Sequence, residues 1–192
     1  MIEDEDRLPS GVFTKLDTED DEFFYEPPRL VCHIDDGAIA ALTVFYRSLL
    51  PPEIDYKEVI GHGMNATELA ANPRLSRWFV QNLNREAKLP LADASLDAAM
   101  ICVSIQYLQQ PVAVLREVAR LLRQGSPLVV SFSNRCFWTK AVAIWGAFDD
   151  EGHARLVERY LRDAGFARIE THRLAEWVED VSDPMFAVVG WM

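Results

Sequence analysis

The sequence offers little that would staple the chain, anchor it or hold a metal. Three cysteines stand among 192 residues, Cys32, Cys102 and Cys136, far apart and without a C-x-x-C pair. An odd, scattered set with no secretory signal predicts reduced thiols in a cytoplasmic setting. The four histidines, His33, His62, His153 and His172, are equally dispersed, so no metal site is expected. G-x-S-x-G, H-E-x-x-H, the P-loop and G-x-G-x-x-G do not occur, and there is no internal repeat. No apolar run approaches the roughly 18 residues of a membrane span. The acidic start, Met1-Ile2-Glu3-Asp4-Glu5-Asp6, has no apolar core of a signal peptide. A membrane is therefore not an expected partner.

A surplus of positive charge is also missing. The formal net charge is −11, and residues 1–26 hold ten acids against Arg7 and Lys15, so the lead carries −8 and the rest −3. A nearly balanced body has no basic surface for phosphate backbones, which excludes nucleic acid as an expected partner. The acidic lead, 1–26, reads as a solvated and mobile segment, although its Phe23-Phe24-Tyr25 end has the composition to dock. Residues 27–192 read as one domain.

What is present, from Pro27-Pro28 onward, is an alternation of amphipathic helices and short apolar runs. Asp35 or Asp36 caps a helix with Ile39, Leu42, Phe45, Tyr46 and Leu49 on one face, and Pro51-Pro52 ends it. Tyr56 to Gly61 reads as a strand. Asn65 with Glu68 has capping-box spacing and opens a helix that Pro73 stops. Trp78-Phe79-Val80 is a second short strand. Leu96 to Ile105 is the strongest one, apolar without alternation at Ala98–Val103, the pattern of a strand covered on both faces. Pro111 opens a helix buried along Val112, Leu115, Ala119 and Leu122. Leu128 to Phe132 is another buried strand. Lys140–Phe148 and Glu151–Ala164 read as helices, with Gly165 after the second, and 167–174 and 185–191 as closing strands. Such alternation predicts an α/β fold, a mostly parallel sheet with helices on both faces. In such sheets ligands sit beyond the carboxyl ends of the strands.

Four segments then carry a resemblance. Leu89-Pro90-Leu91-Ala92-Asp93-Ala94-Ser95-Leu96-Asp97-Ala98-Ala99 resembles an L-P-F-x-D-x-S-F-D-x-V stretch, and Leu115–Gly125 (LREVARLLRQG) resembles an R-E-V-x-R-V-L-R-P-G-G helix end. Leu128–Asn134 (LVVSFSN) fits the strand that follows, and Ala164-Gly165-Phe166 fits the A-G-F before the next. Over about 165 residues these are similar to class I S-adenosylmethionine-dependent methyltransferases of the type 11 group. The resemblance implies a Rossmann-like sheet with an antiparallel last strand, S-adenosylmethionine as cofactor and a small-molecule acceptor. By position it implies cofactor contacts at Gly61, Gly63, Asn65, Asn82, Leu83 and Cys102. Gln106 and Tyr107, after the fourth strand, are candidate substrate contacts or a packing pair at a helix start, Phe137 and Trp138 read as a substrate-pocket wall or as core, and no catalytic residue is assigned. His62 would lie on the ligand edge, His33 beside Asp35 and Asp36 reads as a capping cluster, and His153 is expected at the surface.

The sequence departs from that family at the family's central first strand and the glycine-rich turn after it. The helix ending at Leu50 is followed by Pro51-Pro52-Glu53-Ile54-Asp55 and then by the next strand. A strand, a turn and a crossover helix need on the order of 20 residues, which five cannot supply. Gly63 stands where the resemblance implies a ribose-binding acid, and Asn82 where it implies an aspartate, so charge-assisted bonds are lost. The expectation is weak or absent cofactor binding, with a pseudo-methyltransferase binding or scaffold role as the alternative to catalysis. Losing the central strand would also leave two inner sheet edges unpaired. A rearranged sheet, or a homodimer covering the edge, is therefore expected.

Overall fold

The computed structural model describes residues 8–9, 11–50, 56–179 and 182–192. The link 51–55, on which the expectation of a missing first strand rests, lies outside the described residues.

A short helix α1 (Asp21–Tyr25) and a longer α2 (Asp36–Leu49) precede the first strand, β1 (Ile60–Gly63). Asp35 caps α2 by accepting the Ala38 amide at 2.7 Å, which satisfies one orphan donor of the first turn. Helix α3 (Ala66–Ala70) has the cap expected at Asn65, whose Oδ1 accepts the amides of Thr67 and Glu68. Strand β2 (Arg77–Val80) follows, then β3 (Ala99–Cys102), a 3₁₀ turn at Ile105–Tyr107, and α4 (Pro111–Leu121). The remaining elements are β4 (Pro127–Ser133), α5 (Ala143–Gly146), α6 (Asp150–Ala164), β5 (Arg168–Ala175) and β6 (Met185–Trp191). Gly165 ends α6 with φ +99°, a left-handed cap that costs a glycine nothing in Cβ strain.

The strands form two sheets. One holds β1 and β2 in parallel; the other has the order β3-β4-β6-β5. β3 and β4 run parallel, in the register Ala99↔Leu128 to Cys102↔Ser131, while β6 is antiparallel to both β4 and β5. On one face of the four-stranded sheet, α4 and α6 pack side by side. Val114, Leu115 and Val118 meet Leu156, Val157, Tyr160 and Leu161 there, over Leu128, Val130, Phe132 and Val188. On the other face α2 lays Phe45, Tyr46 and Leu49 over Val129, Ala187 and Val189. The mixed sheet, the two-sided helical cover and the antiparallel last strand are as expected.

Three details differ from the sequence-based expectations. β3 is short and covered on one face only: Ile101 packs into the core, whereas Met100 is 50% exposed and Cys102 is exposed. The helix expected over 140–148 narrows to Ala143–Gly146, because the backbone at Val142 bridges Lys15 instead and Ala143 donates to Thr14 O at 2.8 Å. That same pairing corrects the expectation of a solvated lead. Residues 11–26 pack on the body, with Asp17 N donating to Thr139 O at 2.8 Å and Ile144 N to Val12 O at 2.8 Å.

The division of strands carries the most weight for function. β1 and β3 share no ladder among the described residues, so each presents an inner edge of backbone donors and acceptors. The sheet is interrupted at the position where the sequence leaves no room for a central strand.

Candidate functional site

The loops after β1, β2, β3 and β4 are those that would flank a ligand in this topology. At the end of β1, Gly61 is buried, and a Cβ there would come within 2.3 Å of Leu75 Cδ1; Gly63 lies over Leu69. Both glycines serve the packing of the two-stranded unit. His62 donates from Nε2 to Gln81 O at 2.9 Å, and burial pushes its pKa below the ordinary histidine value. A neutral imidazole tied to a carbonyl holds the ends of β1 and β2 together.

Asn65, the expected stand-in for the ribose-binding acid, is 8% exposed. Its Oδ1 is spent on the cap of α3, and its Nδ2 donates to the carbonyls of Tyr25 and Glu26, each at 2.9 Å. Asn82 accepts the Asn84 amide at 3.0 Å in a local turn. Leu83 packs on the main core. Its neighbour Asn84, which sequence reasoning did not single out, donates to Asp21 Oδ2 at 2.9 Å and to Tyr107 O at 3.0 Å, and accepts the Gln109 amide at 2.7 Å.

After β3, Val103 has φ +46°, a left-handed backbone that is unfavourable for a β-branched residue and turns the chain inward. Gln106 is fully buried, its Nε2 on Val103 O at 3.1 Å, and its Oε1 has no hydrogen-bond partner. It faces the core rather than the crevice. Tyr107 accepts the Phe137 amide on its hydroxyl at 2.9 Å, and burial raises its pKa. Cys102 lies beside Tyr46, whose hydroxyl is 3.3 Å from Ser131 Oγ.

After β4, Phe137 is enclosed by aromatic and cationic groups. Phe24 meets it edge-on at 5.1 Å, His33 at 5.3 Å, Tyr107 stacks at 6.2 Å, and the Arg29 guanidinium is 5.5 Å from its centroid. Trp138 stays outside this cluster, 57% exposed. Beneath Phe24 is Lys140, with no exposed side-chain surface, its Nζ 3.0 Å from Asp17, 3.6 Å from Asp21 and donating to Glu19 O at 2.8 Å. Lys15 makes a second ion pair with Asp21 at 2.7 Å. Asp17 is held below the usual carboxylate range, chiefly by its bond with Lys140. His153, expected at the surface, is instead 3% exposed and stacks on Trp145 at 3.9 Å.

The structure thus brings Asn65, Tyr107 and Phe137 to one crevice, together with Asn84 and Lys140, and seats the chain's own lead in it. Gly61, Gly63 and Gln106 are packed away. A cavity of about 250 Å³ lies between the lead and the loop after β2, lined by Asp17, Asp20, Asp21, Asn82, Asn84 and Arg85 among others. Among the described residues no cluster of His, Cys, Asp and Glu is arranged to hold a metal ion. No helix among them is long and apolar enough to cross a membrane.

With the order of the strands and the crevice defined, the comparisons fall into place. Residues 52–130 match the family model of a methyltransferase domain, type 11. A SAM-dependent methyltransferase from Thermotoga maritima is 19% identical, with a TM-score of 0.52 over 69% of this chain and 72% of that one. A chain from the complex between a Haloferax volcanii methyltransferase activator and a methyltransferase is 16% identical, with a TM-score of 0.51 over 81% and 78%. The [4+2]-cyclase SpnF is 13% identical, with a TM-score of 0.50 over 70% and 66%. No curated protein matches. The architecture is the Rossmann-like methyltransferase fold. The family match thus covers residues 52–130, and the likeness of the whole chain to these structures is one of fold.

The family implies S-adenosylmethionine, and the residues here do not fit it. Asn65 and Asn84, the polar groups best placed at the crevice, are spent on the lead, on a helix cap and on Tyr107 and Gln109. No acidic side chain replaces them at Gly63 or Asn82.

Proposed function

We propose that this chain is a methyltransferase-family protein that has lost methyl-donor binding and turnover and acts as a binding or scaffold protein. The observation that supports this most is the engagement of Asn65 by Tyr25 and Glu26 of the same chain. A donor there would have to break two hydrogen bonds and displace Phe24 from Phe137. The cavity of about 250 Å³ beside Asn82 is below the ~300–1,000 Å³ of typical ligand pockets. Fold alone does not fix the reaction, as a cyclase with the same architecture illustrates. Family membership favours a second reading, methyl transfer to a small-molecule acceptor. That reading requires another chain to supply the missing turn. The three free thiols support a cytoplasmic setting for either.

Isothermal titration of the full chain with S-adenosylhomocysteine is the test. The expected result is no binding heat at ligand concentrations up to about 1 mM, equivalent to less than about 4 kcal/mol of affinity. A micromolar dissociation constant would overturn the proposal.

The uncovered edge of β3 supports a homodimer as the form in which such a protein works. Ala98 to Ser104 contains no charge and no proline, the two features that usually protect an edge strand. A strand of this kind is self-complementary when two copies pair antiparallel across a two-fold axis. Light scattering at tens of micromolar should give twice the chain mass, and Met100→Lys should return it to the monomer. A monomeric wild-type chain would refute the dimer.

A further inference from the structure

The acidic lead does more than cover a crevice. Within residues 12–29 it touches both halves of the divided sheet, and its contacts with each half differ in kind. Toward the four-stranded body they are backbone bonds and buried charge. Phe13 O accepts from Gln109 Nε2 at 3.3 Å, Thr14 O from the Ala143 amide at 2.8 Å, and Lys140 is enclosed by Asp17, Glu19 and Asp21. Toward the two-stranded unit they come from the far end of the same segment. Tyr25 O and Glu26 O accept from Asn65, and the Arg29 amide donates to Glu68 Oε1 at 2.6 Å, while Glu22 and Asp20 pair with Arg85 in the loop that follows β2. Phe24 sits at the centre, with Phe137 of the body on one side and the Arg29 guanidinium 4.4 Å from its ring.

Among the described residues no ladder joins β1 to β3, and the loop after β2 reaches the body through Asn84, on Tyr107 O and the Gln109 amide with Asp21 of the lead on the same side chain, and further along through Leu89, whose amide donates to Glu117 Oε1 at 2.8 Å. We infer that the lead is a strap: residues 12–29 hold the β1–α3–β2 unit onto the four-stranded body, taking the place of the absent central strand as the element that joins the two. Its release frees the Asn65 amide group and uncovers Phe137 together, so opening the crevice and loosening the two-stranded unit are one event. This concerns the mechanics of the chain and holds whether or not a methyl donor binds.

Hydrogen exchange on the full chain tests it. Phe24→Ala removes the centre of the strap without touching either sheet. Amides of residues 60–80 should then exchange at least about tenfold faster, while those of 127–133 and 185–191 keep their wild-type rates. Arg85→Glu is a milder variant that leaves the core intact. It sets a third carboxylate beside Asp20 and Glu22, and should accelerate the same residues about threefold. Unchanged exchange over 60–80 in both variants would overturn the strap. Equal acceleration in both sheets would overturn it too, since the lead would then be part of one cooperative core.

Discussion

Lys140→Met is expected to lower the unfolding free energy by about 3–5 kcal/mol, the usual cost of removing one partner from a buried ion pair. The side chain has no exposed surface and its ammonium serves three oxygens, two carboxylates and the Glu19 carbonyl. Methionine fills the same volume but leaves Asp21 with one cation, Lys15, and with an Oδ1 that is already buried and without a hydrogen-bond partner. The remaining pair places the loss toward the lower end of the range. Urea unfolding checks the value, and Asp21→Asn added to Lys140→Met should recover part of it by removing the stranded charge. A loss under about 1 kcal/mol would mean that water reaches the site and the ion pairs are screened. Asp17 adds a pH signature. Its folded pKa lies below the ordinary carboxylate value, so its contribution is present above that value and is lost as pH falls through the folded pKa. In Lys140→Met the acid limb of the stability profile should flatten.

Trp145→Ala is expected to cost a similar amount, about 3–5 kcal/mol, through lost burial and the cavity that remains. The indole is 1% exposed, lies flat against His153 at 3.9 Å and meets Phe132 edge-on at 5.3 Å. A second readout separates this site from a general loss of packing. His153 donates from Nε2 to Trp145 O at 2.7 Å, and burial holds its pKa below the ordinary histidine value. Truncating the ring admits water to the imidazole while leaving the carbonyl in place. The His153 pKa, followed by NMR, should therefore rise toward its normal value. A large loss of stability with no movement of that pKa would show that the core closes over the gap.

How far the sequence foretold this structure depends on the distance between partners. Helices α2, α4 and α6 were legible because their caps and apolar stripes lie within a few turns of one another: Asp35, Pro111 and Gly165 mark their ends in plain view. β4 and β6 followed from short apolar runs between breakers, and β5 from its place between Gly165 and the polar stretch before β6. The exposed face of β3 was not legible, because Ala98–Val103 is equally apolar whether or not a helix covers it, and coverage by α2 stops short of Met100. The docked lead was hidden for a different reason. Its acids read as solvated charge until Lys140, more than a hundred residues away, is brought beside them. At the crevice, Asn65, Tyr107 and Phe137 come from loops after different strands, and sequence position alone assigns each to a loop without its partners. The claim of the Tyr25 and Glu26 backbone on Asn65 was not legible, and for Gln106, open between packing and substrate contact, the turn at Val103 directs the side chain in.

The strand order also sets a schedule for synthesis. Among the described residues β6 alone links β4 to β5, so the four-stranded sheet has no continuous hydrogen-bonded path until residues 185–191 have left the ribosome. Until then β4 has a ladder on one side only, to β3, during a wait of roughly ten seconds or less at common translation speeds. A chain interrupted before Met185 would hold each of its earlier strands and still lack the ladder that makes them one sheet.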